Sequence, residues 1–135
     1  SKKPLLVDDK LLFSSSTDIK PQLLKWYKDR ARLEITTLVE EFSNELGVTY
    51  NRIFIRNQKT RWGSCSGRRN LNFNWKIILT APELIRYLVI HEVCHLVQMN
   101  HSKKFWDLVK IYDAKYIQNR KDLQKAGYYL TTFLE

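Results

Sequence analysis

All three histidines of the chain fall within one segment, His91-Glu92-Val93-Cys94-His95-Leu96-Val97-Gln98-Met99-Asn100-His101. On a helix, positions i and i+4 share a face one turn apart, so His91 and His95 can point at the same ion. Imidazole nitrogen is a preferred ligand of zinc, and a catalytic zinc takes three protein ligands and keeps a fourth position open. Glu92 is offset from His91 by about 100° of helix rotation. That places its carboxylate beside the metal's water without ligating the metal, the position of a general base. His101 has to return from beyond the helix end, and a left-handed Asn100 is the expected means of reversal. Three imidazoles favour zinc among the divalent ions. Competing assignments exist for each part. A lone histidine on an apolar helix is more often a core residue than a ligand. Here, however, a metal-free buried helix would leave several polar groups unpaired. Cys94 points away from the His91/His95 face and reads as a core filler. Asp107 and Asp113 are alternative third ligands, but capping and solvent exposure in the following helix account for them.

The elements that must position this group read as follows. Thr80-Ala81-Pro82-Glu83 has the form of a capping box, with Thr80 accepting from the Glu83 amide and Pro82 in the first turn. The helix it opens is expected to run to about Met99. It is apolar nearly all round (Leu84, Ile85, Leu88, Val89, Ile90, Val93, Leu96, Val97) and so is expected at the centre of a domain. Ser102 is placed to cap a further helix containing Phe105, Leu108, Val109 and Tyr112. A last helix is expected over Ile117–Ala126, ended by Gly127. Upstream, Leu24, Tyr27, Ala31, Ile35, Leu38, Phe42 and Leu46 form one helical stripe between Pro21 and a stop at Gly47. Ile53 and Ile55 mark a strand, and Thr60–Ser66 a second. Ser66–Arg69 reads as a turn, and the alternation of Leu71, Phe73 and Trp75 marks the return strand of a hairpin. Residues 1–20 read as an arm with a short strand at Leu11–Phe13, and residues 21–135 as a single domain.

Composition narrows the class. A chain of 135 residues with 44% hydrophobic and 27% charged residues is globular and can bury a core without disulfides. Two cysteines, Cys65 and Cys94, make no disulfide framework and fit a reducing, cytoplasmic setting. No membrane span or signal peptide is expected. The net charge is +9, and residues 47–81 contain no Asp or Glu but hold Arg52, Arg56, Lys59, Arg61, Arg68, Arg69 and Lys76. This stretch is a candidate surface for nucleotides or nucleic acid, although a solvated basic face explains the same charges.

Several motifs in order resemble one family. They are Trp26-Tyr27-Lys28-Asp29-Arg30-Ala31, Arg61-Trp62-Gly63-Ser64-Cys65-Ser66, Leu71-Asn72, Ala81-Pro82, Tyr87 through Leu96, and Asn100-His101-Ser102-Lys103-Lys104-Phe105-Trp106. Over residues 22–125 the chain resembles the YgjP-like metallopeptidases, zincins related to SprT-like proteases. The resemblance implies an α+β zincin-like domain, with a small sheet packed against an active-site helix and further helices. It implies His91, His95 and His101 as zinc ligands and Glu92 as base. It also implies that the Arg61–Ser66 strand lies beside the cleft, where an edge strand can pair with an extended peptide. Arg61 suits bidentate capture of a carboxylate or phosphate, whereas Trp62 and Cys65 read as packing residues. Tyr116 and Arg120 are candidate substrate-binding or oxyanion groups. The turn before Tyr116 lacks the family's proline, and the family's β-rich N-terminal portion is reduced. The expected function is a zinc metallopeptidase acting on peptide or protein substrates. The alternatives are a UTP-type pyrophosphatase using the same metal site and a nucleic-acid-associated SprT-like protease.

Overall fold

The computed structural model describes residues 6–7, 10–11 and 21–134, with side chains described from 21 to 128. Two short strands, β1 (Leu6–Val7) and β2 (Lys10–Leu11), pair antiparallel. Leu11 of the expected strand lies in β2, while Leu12 and Phe13 lie outside the described residues. Helix α1 (Pro21–Leu46) buries Tyr27, Ala31, Ile35, Val39 and Phe42 on one stripe. It stops where expected, because Gly47 adopts φ +67° and the amides of Gly47 and Val48 turn back to the carbonyls of Asn44 and Ser43.

Three strands follow, β3 (Arg52–Arg56), β4 (Gly63–Cys65) and β5 (Asn70–Asn74), in the order β3-β5-β4. β3 runs parallel to β5, and β4 runs antiparallel to it. The turn between β4 and β5 closes as read from sequence, with Arg69 at φ +66°. The second strand is shorter than Thr60–Ser66 because the Asn74 side chain donates to the carbonyls of Gln58 and Arg61 and holds the preceding residues in a loop. Trp75 is not a strand residue. It opens a 3-10 helix (Trp75–Leu79) capped by Asn74, and its buried ring stacks on Tyr27 at 5.5 Å.

Helix α2 (Pro82–Cys94) lies at the centre, touching α1, β4, α3 (Lys103–Tyr112) and α4 (Tyr116–Leu134). Three expectations about the helices are corrected. Thr80 is not the cap of α2: its hydroxyl donates to the Ile77 carbonyl at 2.7 Å, closing the 3-10 helix, and Ala81 occupies the cap position without a side-chain bond. α2 ends at Cys94 rather than Met99. The amides of His95, Leu96 and Val97 bond three residues back, which tightens the chain out of α geometry, and the half-exposed Val97 and Met99 bury too little to hold another helical turn. Asn100 does not reverse the chain in a left-handed conformation, since Arg69 is the sole non-glycine residue with positive φ among the described residues.

Ser102 caps α3 as expected, accepting from the Phe105 amide. The connection to α4 is held by buried Asp113, whose carboxylate accepts from the Lys115 amide and the Asn119 side chain. α4 runs through Gly127, contrary to the expected stop. The architecture is α+β, a small mixed sheet with helices packed around α2. Among the described residues no helix is long and apolar enough to cross a membrane.

Candidate metal centre

His91 and His95 project from the last turn of α2, and His101 arrives from the loop before α3. The Nε2 atom of His101 lies 3.0 Å from that of His95 and 3.3 Å from that of His91. Candidate ligand atoms of the three residues all lie within 4.8 Å of one another, and among the described residues no carboxylate or thiolate joins the group. Asp107 pairs instead with Lys103 on the surface. Asp113 is committed to the α3–α4 turn, and Cys94 is wholly buried in the core.

The first turn of α3 sets the three rings. Phe105 stacks on His95 with centroids 4.3 Å apart and meets His91 and His101 edge-on at 5.0 and 5.1 Å. Trp106 stacks on His101 at 5.8 Å. The second ring nitrogens are also engaged. His95 Nδ1 donates to the Gln98 carbonyl at 3.0 Å, and His91 Nδ1 lies 3.4 Å from the Tyr87 hydroxyl, one helical turn earlier. With Nδ1 carrying the proton, Nε2 presents its lone pair inward.

Electrostatics favour neutral imidazoles. Burial, then the neighbouring His95, His101 and Arg120, lower the His91 pKa to about 3. Burial also lowers that of His95. Neutral imidazole is the ligating form. Ring nitrogens converging at 3.0–3.3 Å need a proton or a cation among their lone pairs, and three imidazole donors fit a divalent ion with a preference for nitrogen.

Glu92 is 4% exposed, and burial pushes its pKa up to about 8. It lies under β4. A Cβ at Gly63 would sit 3.1 Å from Glu92 Oε2 and 2.9 Å from the Asn72 carbonyl, so the strand can cover the carboxylate only because Gly63 has no side chain. On the same side, the Trp62 indole N–H donates to the Leu123 carbonyl on α4 at 3.1 Å. A Cβ at Gly127 would come within 3.0 Å of that indole nitrogen. Gly127 is therefore an indentation in α4 that receives Trp62, not a helix stop. Cys65, half-buried nearby, has its thiol pKa raised to about 11 by burial and then by Glu92, and both cysteines are free thiols.

A cavity of about 320 Å³ opens beside the histidines, lined by His91, Glu92, Gly63 and Tyr87 together with Arg61 and Arg120. Tyr116 does not line it. Its ring stacks on Trp106 at 5.7 Å, and Arg120 also contacts that indole. Tyr87, Phe105 and Trp106 entered the sequence reading only as motif or helix residues, not as parts of the site. The i−4 spacing from Tyr87 to His91 was the available signal for the first. Nothing local signalled that Phe105 and Trp106 would buttress the imidazoles.

A family model described as "YgjP-like, metallopeptidase domain" matches residues 10–126. Among solved structures, the chain is similar to the metallopeptidase zymogen jannalysin of Methanocaldococcus jannaschii, with 25% identity and a TM-score of 0.58 over 68% of this chain and 96% of that one. It shares its fold with the metallopeptidase zymogen abylysin of Pyrococcus abyssi, with 20% identity and a TM-score of 0.61 over 68% of this chain and 93% of that one. No curated protein matches the sequence. Neither the family match nor the two structures point to a nucleotide or nucleic-acid partner.

Proposed function

The chain belongs to the YgjP-like metallopeptidase family, and we propose that it hydrolyses peptide bonds with zinc held by His91, His95 and His101 and with Glu92 as general base. When bound, zinc supplies a Lewis acid and an acidified water. The chain's own groups supply the rest. Glu92 accepts the proton of the attacking water at its carboxylate and returns it to the leaving amine. Its burial raises its affinity for a proton, which favours the first of these transfers. Gly63 leaves the carboxylate room under the strand, and β4, at the edge of the sheet, offers backbone groups to an extended substrate. Tyr87 and the Gln98 carbonyl hold His91 and His95 in the ligating orientation. Arg61 and Arg120 are read as substrate-binding groups, and Tyr116 as a support for Trp106. Residues 21–135 are read as one metallopeptidase domain preceded by an arm at 1–20. The free thiols of Cys65 and Cys94 support a cytoplasmic setting.

The observation that carries this reading is the convergence of three Nε2 atoms, one of them on His91, which lines a cavity together with the buried Glu92. The test is metal analysis together with cleavage of unfolded protein substrates. The wild type should carry one zinc per chain. His101→Ala should lose it, and Glu92→Gln should keep it while cleavage falls by about 10²- to 10⁴-fold. Absence of stoichiometric zinc, or undiminished cleavage by Glu92→Gln, overturns the reading.

A further inference from the structure

The cavity beside His91 and Glu92 is lined by two arginines from separate elements, Arg61 from the loop entering β4 and Arg120 from α4. Among the described residues, Glu92 is the one acid in its lining, and no ion pair joins it to either arginine. The ion pairs of the described residues lie elsewhere, at Lys25–Asp29, Arg30–Glu34 and Lys103–Asp107.

Arg120 is nevertheless held in place. Its guanidinium lies 4.8 Å over the ring of Trp106, which is itself fixed between His101 and Tyr116. A guanidinium placed by stacking keeps its N–H edge for another partner. It lines the cavity together with Tyr87 and His91. Much of the remaining lining is apolar, with Trp62, Leu88 and Leu123, and a charged contact is stronger against such a wall than in open water.

We infer that this cavity is a subsite for a substrate carboxylate, bound between Arg61 and Arg120 next to the scissile bond. The inference rests on the peptidase reading and adds a substrate class to it. The carboxylate can come from an acidic side chain adjacent to the cleaved bond or from the C-terminus of a short peptide. The volume, about 320 Å³, suits one side chain or one chain end. A lysine in the same position would meet two like charges.

The test separates the subsite from the activity. Two pairs of peptide hydroxamates, which resist turnover, are titrated calorimetrically into the zinc-loaded chain. One pair differs only in Glu against Gln, and the other only in a free C-terminal carboxylate against its amide. At least one carboxylate member should bind about tenfold more tightly than its neutral twin, and the pair that shows the preference identifies the source. Arg120→Gln and, independently, the exposed Arg61→Gln should bring that ratio towards one, with folding checked by thermal melting. Equal binding within both pairs overturns the subsite, as does a preference that survives both substitutions. Matched cleavable peptides then report on the activity. A carboxylate preference in binding without cleavage of any peptide would overturn the peptidase reading and leave the subsite standing. Cleavage without any carboxylate preference would do the reverse. An arginine acting only on the transition state would instead slow acidic and neutral peptides equally when replaced.

Discussion

The two walls of the cleft are built on opposite principles. The metal wall, from α2 and α3, is made by large side chains: Phe105 and Trp106 pack the three imidazoles, and Tyr87 reaches the back of His91. The strand wall, from β4 and α4, is made by missing ones. Gly63 lets the strand approach Glu92, and Gly127 lets α4 accept the Trp62 indole. One wall should therefore suffer from removing atoms and the other from adding them, and metal binding and substrate turnover should respond separately.

The sharpest break on the strand wall is Gly63→Ala. The new methyl would meet the Asn72 carbonyl, which is backbone and cannot swing aside. Stability should fall by about 1–3 kcal/mol in urea unfolding, and kcat/KM by about tenfold or more, because a displacement of this size disturbs attack geometry. Zinc content should be unchanged. On the metal wall, Tyr87→Phe deletes a single oxygen. It should weaken zinc binding about 10- to 100-fold in a chelator competition, with turnover at saturating zinc changed much less. Equal effects of the two substitutions on zinc affinity would erase the contrast between the walls.

Gly127→Ala tests the strand wall through its sign. In an exposed helix interior this change stabilises by up to about 1 kcal/mol. Here the methyl would crowd the Trp62 indole, so a loss of about 1 kcal/mol is expected. Trp62→Leu should restore the ordinary helical gain at position 127.

The smallest effect concerns pH in the metal-free protein. The Glu92 pKa is raised from 4.5 to about 8 by burial, so its contribution to stability is present below about pH 4.5 and is lost as pH rises through about 8. His91, lowered to about 3, acts in the opposite direction, losing stability as pH falls below its ordinary 6.5. The difference in melting temperature between Glu92→Gln and the wild type isolates the first term. It should grow by several degrees between pH 5 and pH 8, and a difference flat with pH would contradict the burial of that carboxylate.

Much of the candidate site was legible because its parts are local. The His91/Glu92/His95 arrangement follows from helical geometry, and Gly47 and Ser102 bound their helices through conformations and bonds made within a few residues. Local signals failed where a distant partner competed for the same group. Thr80 had the sequence of a cap, but the Ile77 carbonyl took its hydroxyl. Gly127 had the sequence of a stop, but Trp62 needed the space within a continuing helix.

By itself, then, the sequence determined the candidate donors, the candidate base and the spacing that lets them meet, since these depend on residue type and on separations of a few positions. Only the tertiary structure decided that Gly63 would cover Glu92, that α3 would pack the three rings, and that Arg61 and Arg120 would share one cavity. The first and last of those pairings join residues tens of positions apart, and all three arise from burying the common core around α2, which no local pattern encodes.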